Sequence, residues 1–326
     1  MIEYQLHHLP ESGQWLEFSD PVETITAERP EQVLPALQRI QARVNDDQLY
    51  AAGWVGYGAS NGFDSSLPVQ QRTPEPLLKF SLYSQRRVLA ELPAKLIDLV
   101  EPGFQLREAL SDQPFNLTGF NESAHASAVE QIKNLLRSGD TYQVNYTQQL
   151  HGIWPGSSSA MFRQMFSAQP NSFAAYLVDD QQAICSVSPE LFFSLDKDQI
   201  KCRPMKGTAR RGRFQEEDLQ AGQDLTASVK DQAENLMIVD MVRNDLGRIA
   251  IKGSIQVDQL FNLEQYPTVW QLTSTISAKT NADLAAIFQA LFRAPLSLAL
   301  RSGAPWKSLK RSNKAPVVSI PALSVG

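Results

Sequence analysis

Four short apolar runs follow one another with very little chain between them: Phe173–Val178, Ala183–Val187, Leu191–Leu195 and Gln199–Cys202. Connections this short cannot hold the crossover that parallel strands require, so the runs are restricted to antiparallel neighbours. Asp179-Asp180 and Asp196-Lys197-Asp198 supply turn chemistry between them. The last run meets Pro204, which cannot donate to a sheet ladder and should end a strand. There the chain reads Pro204-Met205-Lys206-Gly207-Thr208, then Ala209-Arg210-Arg211-Gly212. Gly207 permits a positive φ or a close backbone approach. Lys206 at such a point is a candidate nucleophile, and the alternative is a solvated lysine in a basic turn. Arg203, Arg210, Arg211 and Arg213 crowd the segment, so a positive field is expected around it.

Helical periodicity brackets the strands. Val33, Leu34, Leu37, Ile40 and Val44 form a stripe over Glu31–Val44, with Pro35 expected in its first turn. Asn121 or Ser123 can cap a helix carrying Val129, Ile132, Leu135 and Leu136, and Ser138-Gly139-Asp140 stops it. Ser158–Phe166 reads as a short helix. The best helix runs from about Thr226 to Arg248, with Leu236, Val239, Met241 and Val242 as apolar positions. Ala282–Phe292 opens another, capped by Asn281 or Asp283. Tyr50–Tyr57, Arg86–Leu92, Ala94–Val100, Thr141–Leu150, Gly253–Val257 and Val269–Ile276 read as strands, and residues 102–117 as a connection. The expected class is α+β, with antiparallel sheets flanked by helices.

Composition narrows function. The 326 residues are 43% hydrophobic and 20% charged with net charge −5, which offers no general basic surface for nucleic acid. No apolar run is long enough to span a bilayer, and residues 1–5 lack the pattern of a signal peptide. Cys185 and Cys202 both fall in strand-like runs and are expected as buried free thiols. His7, His8, His125 and His151 show no metal-ligand spacing. A cytoplasmic protein is expected.

Four blocks gain meaning together. They are Gly139–Asn145, Ser188-Pro189-Glu190-Leu191-Phe192, Pro204–Gly212, and Glu234–Arg248. In this order they resemble the chorismate-utilising enzymes, the family of anthranilate synthase component I and aminodeoxychorismate synthase component I. The resemblance runs from about Asn121 to Phe292, and Gly53-Trp54-Val55-Gly56-Tyr57 looks like a glycine-aromatic motif of the family's N-terminal part. It implies an anthranilate-synthase-like chorismate-binding fold, with an N-terminal region over residues 1–110 and a chorismate-binding domain over 118–292. Anthranilate synthases usually carry alanine where this chain has Lys206. The lysine therefore implies the aminodeoxychorismate branch, in which it attacks the chorismate ring and ammonia later displaces it. Ammonia would come from a glutamine amidotransferase subunit. By position, Glu190 matches the family's general acid/base and Glu234 a Mg²⁺ ligand, while Gly207 and Thr208 would lie against substrate. Many members have histidine at Gln271, which can still hydrogen-bond a ligand but cannot carry a proton. Anthranilate synthase, isochorismate or salicylate synthase, and a non-catalytic amidotransferase-binding remnant are the competing readings.

Beyond Phe292 the resemblance stops. The family continues with a proline-glycine turn and Ser-Ile-Thr-Gly-Ala-Pro-Lys, then a second magnesium glutamate and an arginine strand that grips substrate carboxylate. Residues 293–326 carry none of these. The stretch from Leu291 to Ser302 can be encoded so that one base inserted after the Phe292 codon restores the missing motif. The tail is therefore expected to be a frameshift product. The chain as written is expected to be incomplete at its C-terminus and to lack synthase activity.

Overall fold

The computed structural model describes residues 3–65, 75–96, 118–141, 156–292 and 318–319, with 144, 146, 150–152 and 154. In chain order the elements are β1 (Tyr4–Leu9), β2 (Gln14–Ser19), β3 (Glu23–Ala27), α1 (Pro30–Asp47), β4 (Tyr50–Gly56), α2 (Ser60–Phe63), β5 (Leu78–Tyr83) and β6 (Arg87–Leu89). Next come α3 (Glu122–Arg137), α4 (Ser158–Ala168), β7 (Phe173–Val178), β8 (Ala183–Ser188), β9 (Leu191–Asp196), β10 (Gln199–Arg203) and β11 (Met205–Arg210). The series closes with α5 (Gln215–Ala227), α6 (Val229–Leu246), β12 (Gln256–Gln265), β13 (Val269–Lys279), α7 (Leu284–Leu291) and β14 (Val318–Ser319). The connection at 102–117 and most of the expected strand at 141–150 lie outside the described residues, as does the last part of 94–100.

The strands form three antiparallel sheets: β6-β2-β1-β7-β8, β11-β13-β10-β9 with β12 on β13, and β14-β4-β5-β3. The four opening runs are strands with the expected starts, β8, β9 and β10 each running one residue further, but they do not make one meander. β7 and β8 pair in the first sheet, Phe173 opposite Ser188, whereas β9 and β10 pair in the second, Asp196 opposite Gln199. The chain changes sheet at Ser188-Pro189-Glu190, where Pro189 has no N–H to continue a ladder.

The two regions separated in the sequence interlock. β1 lies between β2 and β7, with Tyr4 opposite Val178. One core holds Val33, Leu37 and Ile40 of α1, Phe80 of β5, Ile200 of β10, Val239 of α6 and Phe288 of α7. Phe63, Phe193 and Phe292 complete it around Phe288; the Phe63 and Phe193 ring centroids each lie 5.7 Å from that of Phe288. Gly53 lets β4 lie close on β5, because a Cβ there would meet the Lys79 carbonyl oxygen at 2.1 Å. Between the first and third sheets Lys79 Nζ donates to Asp179 Oδ2 at 2.7 Å and sits 3.9 Å from Glu3 Oε1. Ser81 and Gln5 donate to Glu3 at 2.6 and 3.1 Å, so the buried carboxylate is satisfied. Asp179 also accepts the N–H groups of Gln181 and Gln182, which builds the expected turn.

Several helices differ in detail. α1 begins at Pro30, so Pro35 lies beyond its first turn. The missing N–H faces outward with exposed Glu31, where water can serve the freed carbonyl. Asn121, Ser157 and Asp283 each accept an N–H three residues on and cap α3, α4 and α7. The long helix expected from about Thr226 to Arg248 is α6, starting three residues later, and it is preceded by α5, which the sequence reading did not expect. Ser228 ends α5 and caps α6, accepting the Asp231 N–H at 3.3 Å. Leu236 lies on the outer face of α6, and Asn235, Val239, Val242 and Leu246 form the buried one. Gly253 sits in a turn with φ +82°, and the strand expected from 253 begins at Gln256. Cys202 is a buried thiol pushed up to about 12 by burial and by Asp245, whereas Cys185 is half-buried rather than buried as expected.

Candidate active site

The change of sheet at Pro189 and the strand break at Pro204 meet. Glu190 leads into β9, Met205 starts β11, and the Met205 N–H donates to Glu190 Oε1 at 3.3 Å. Glu190 is open to the site, yet the atoms packed around its carboxyl push it above the usual carboxylate range. The Met205 N–H and the Lys206 ammonium oppose that shift. A carboxyl raised in this way is better placed for proton exchange with a bound substrate than an ordinary carboxylate.

Lys206 stands on a bulge. β11 pairs with β13 as Met205 opposite Thr273 and Thr208 opposite Gln271, so Lys206 and Gly207 together face Leu272. Gly207 takes φ +95°, a conformation that costs an L-residue strain. Past the bulge, Thr208 Oγ1 donates to Gln271 Oε1 at 3.0 Å. The fold thus gathers Glu190, Lys206, Gly207, Thr208 and Gln271 along one strand and its neighbours.

Glu234 precedes Asn235, whose amide reaches the Lys206 carbonyl at 3.1 Å. Glu234 lies on α6, partly exposed, and its ion pair is with Lys230 at 3.8 Å. Among the described residues no group of three His, Cys, Asp or Glu side chains could hold a metal. Mg²⁺ keeps several waters and takes only one or two protein carboxylates beside its substrate, so Glu234 could supply one such ligand without a protein-built centre.

The expected positive field is largely quenched. Arg211 binds Asp218 through Nε and Nη2 at 2.7 and 2.6 Å, and its guanidinium holds the Asp218 carboxyl well below the usual range. Arg213 pairs with Glu217 at 3.2 Å and Arg203 with Glu264 at 3.5 Å. Arg210 is exposed.

Two groups escaped the sequence reading. Glu264 of β12 accepts from Thr273 Oγ1 and the Tyr266 hydroxyl, both at 2.7 Å. Tyr266 lies 3.4 Å from the Pro189 carbonyl, so this network braces the turn that carries Glu190. Asn235 of α6 reaches the Lys206 carbonyl at 3.1 Å. Its neighbour Glu234 is singled out by its match to a family metal ligand; a buried amide that only braces backbone carries no such mark in the sequence.

A family model described as chorismate binding enzyme matches residues 4–305. Aminodeoxychorismate synthase component 1 of Escherichia coli (strain K12) is 34% identical over 302 residues, 86% of this chain and 66% of that protein. The protein of that name from Klebsiella aerogenes is 44% identical over 154 residues, 47% of this chain and 34% of that protein. The matched part thus spans less than two thirds of either relative's length. Anthranilate synthase component I from Streptococcus pneumoniae TIGR4 superposes with a TM-score of 0.68 at 19% identity, covering 90% of this chain and 73% of that one, which bears out the α+β class. Fold, motif order and the extent of the family match agree: the chain belongs to the chorismate-binding enzymes.

Proposed function

We propose that the chain is the chorismate-aminating component of an aminodeoxychorismate synthase. The observation that carries the reading is the Lys206 bulge beside Glu190, whose carboxyl is raised toward a protonated form. In the proposed reaction the Lys206 ammonium first gives a proton to solvent, and the amine then attacks the chorismate ring. A C–N bond forms, and the ring hydroxyl takes a proton from Glu190 and leaves as water. The lysyl nitrogen gives its extra proton to the Glu190 carboxylate. Ammonia then attacks the ring, Lys206 departs with the Glu190 proton, and the new ammonium group returns a proton to Glu190. The balance is chorismate plus ammonia to 4-amino-4-deoxychorismate plus water.

Thr208 and Gln271 would orient the substrate through their hydroxyl and amide. The relatives' designation as component 1 supports a separate subunit that supplies ammonia, and a glutamine amidotransferase fits that need. The absence of a membrane-crossing helix among the described residues agrees with a cytoplasmic place. Residues 293–326 are read as an out-of-frame product of the same gene, and 118–292 as the chorismate-binding part.

The test expresses the gene with and without one base inserted after the Phe292 codon and supplies chorismate and ammonium. The frame-restored chain should give 4-amino-4-deoxychorismate and lose it on Lys206→Ala. Anthranilate or isochorismate as product would overturn the reading.

A further inference from the structure

The bulge that presents Lys206 breaks a hydrogen-bond ladder, and a broken ladder inside a sheet leaves carbonyls without partners. β11 spends two residues, Lys206 and Gly207, against Leu272 of β13. Asn235 fills the break. It is 2% exposed and projects from the buried face of α6. Its Nδ2 donates to the Lys206 carbonyl and to the Leu272 carbonyl, both at 3.1 Å. These are the two residues that face each other across the bulge. Both amide protons are thereby used.

Its Oδ1 is fixed in turn. Ser274 Oγ donates to it at 2.6 Å, and Ser274 is fully buried. The Phe261 N–H then donates to the same Ser274 oxygen at 3.2 Å. Phe261 holds φ +56°, an uncommon conformation for a bulky residue, at an irregular stretch of β12. A buried relay thus runs from β12 through Ser274 and Asn235 to the backbone of Lys206. A partly satisfied relay would be costly here, and each link has its partner.

We infer that Asn235, held by Ser274, is the positioning residue for Lys206: it locks the bulge and so fixes where the ε-amine stands. This rests on the reading of Lys206 as nucleophile. Asn235 touches only the backbone of Lys206, so it acts through the lysine. Without it, two carbonyls lose their donor, and the bulge can relax toward a regular register or swing outward.

The experiment measures the labelling of individual lysines by acetic anhydride in the 326-residue chain, read by mass spectrometry. Lys201, exposed on β10, which β13 separates from β11 in the same sheet, is the internal reference. Asn235→Asp keeps the size and the acceptor for Ser274 and removes both donors. It should raise the labelling of Lys206 about tenfold, the effect of losing two hydrogen bonds, with Lys201 unchanged. Ser274→Ala should raise it less, and Ser274→Thr, which keeps the hydroxyl, should restore the parent rate. Should Asn235→Asp unfold the chain, Ser274→Ala against Ser274→Thr carries the test alone. Equal labelling of Lys206 in parent and variants overturns the inference, as does a parallel rise at Lys201, which would mean general loosening. Turnover by Lys206→Ala in the frame-restored chain reports separately on the nucleophile. Its full activity would sink the functional reading while leaving the labelling result to stand.

Discussion

Gly207→Ala tests the bulge directly. At φ +95° the alanine meets strain of about 1–2 kcal/mol for an L-residue in left-handed backbone. Its Cβ would also lie 3.2 Å from Asp231 Cβ and 3.2 Å from Leu272 Cδ1, and 3.5 Å from Leu225 Cδ1. Leu272 and Leu225 are buried, so the crowding has little room to relax, and overpacking of this kind costs about 1–3 kcal/mol. Reduced freedom of the unfolded chain returns about 0.4–1 kcal/mol. The net expectation is a loss of about 2–4 kcal/mol, read as a fall in the urea midpoint at unchanged m-value. Gly13→Ala is the control. Gly13 has φ +68° with nothing within 4 Å of an added Cβ, so it carries the backbone strain without the crowding. It should lose about 1 kcal/mol or less. Equal losses at the two glycines, or no loss at Gly207, would refute the claim that the bulge is tightly packed against α6 and β13.

Glu190→Gln retains a hydrogen-bond acceptor for Met205 but cannot exchange a proton, so kcat of the frame-restored chain should fall about 10²–10⁴-fold in a chorismate-consumption assay. Lys79→Ala leaves Glu3 and Asp179 buried without their cation and should cost about 3–5 kcal/mol in urea unfolding. Burial raises the Asp179 carboxyl, but Lys79 and the N–H groups of Gln181 and Gln182 outweigh it and hold the group below its ordinary value. Its contribution is therefore present above pH 3.8 and is lost as pH falls through the lowered folded value. Burial pushes His7 down from 6.5 to about 4, so below pH 6.5 the unfolded chain binds a proton that the folded chain refuses. Stability should fall by up to about 1.4 kcal/mol per pH unit across that window, and His7→Gln should flatten the slope of midpoint against pH.

Much of the scaffold was legible because local patterns decide it. β7 to β10 follow from apolar runs between turn residues, and α3 and α7 from Asn121 and Asp283 standing before apolar stripes. The sheet change at Pro189 was not legible, since alternation gives a strand's faces but not its partner. The helix α5 was not legible because its stretch is mostly polar, with only Gly222 and Leu225 buried, so no apolar stripe marks it. At the candidate site, Lys206 stands out by its place between Pro204 and Gly207, whereas Glu190, Thr208 and Gln271 are singled out only by matching position in the family the ordered blocks resemble. The quenching of the arginine field was not legible, because Asp218, Glu217 and Glu264 come to those arginines through folding. Asn235 was invisible for a related reason: its role lies in two carbonyls exposed by a bulge that exists only in three dimensions.

The most direct measurement is the mass of the peptide bearing Lys206 after the frame-restored chain meets chorismate without ammonia. The account predicts a gain equal to chorismate minus water on Lys206, discharged as 4-amino-4-deoxychorismate when ammonium is added. Product formation at the parent rate by Lys206→Ala, or with Lys206 never modified, would contradict it.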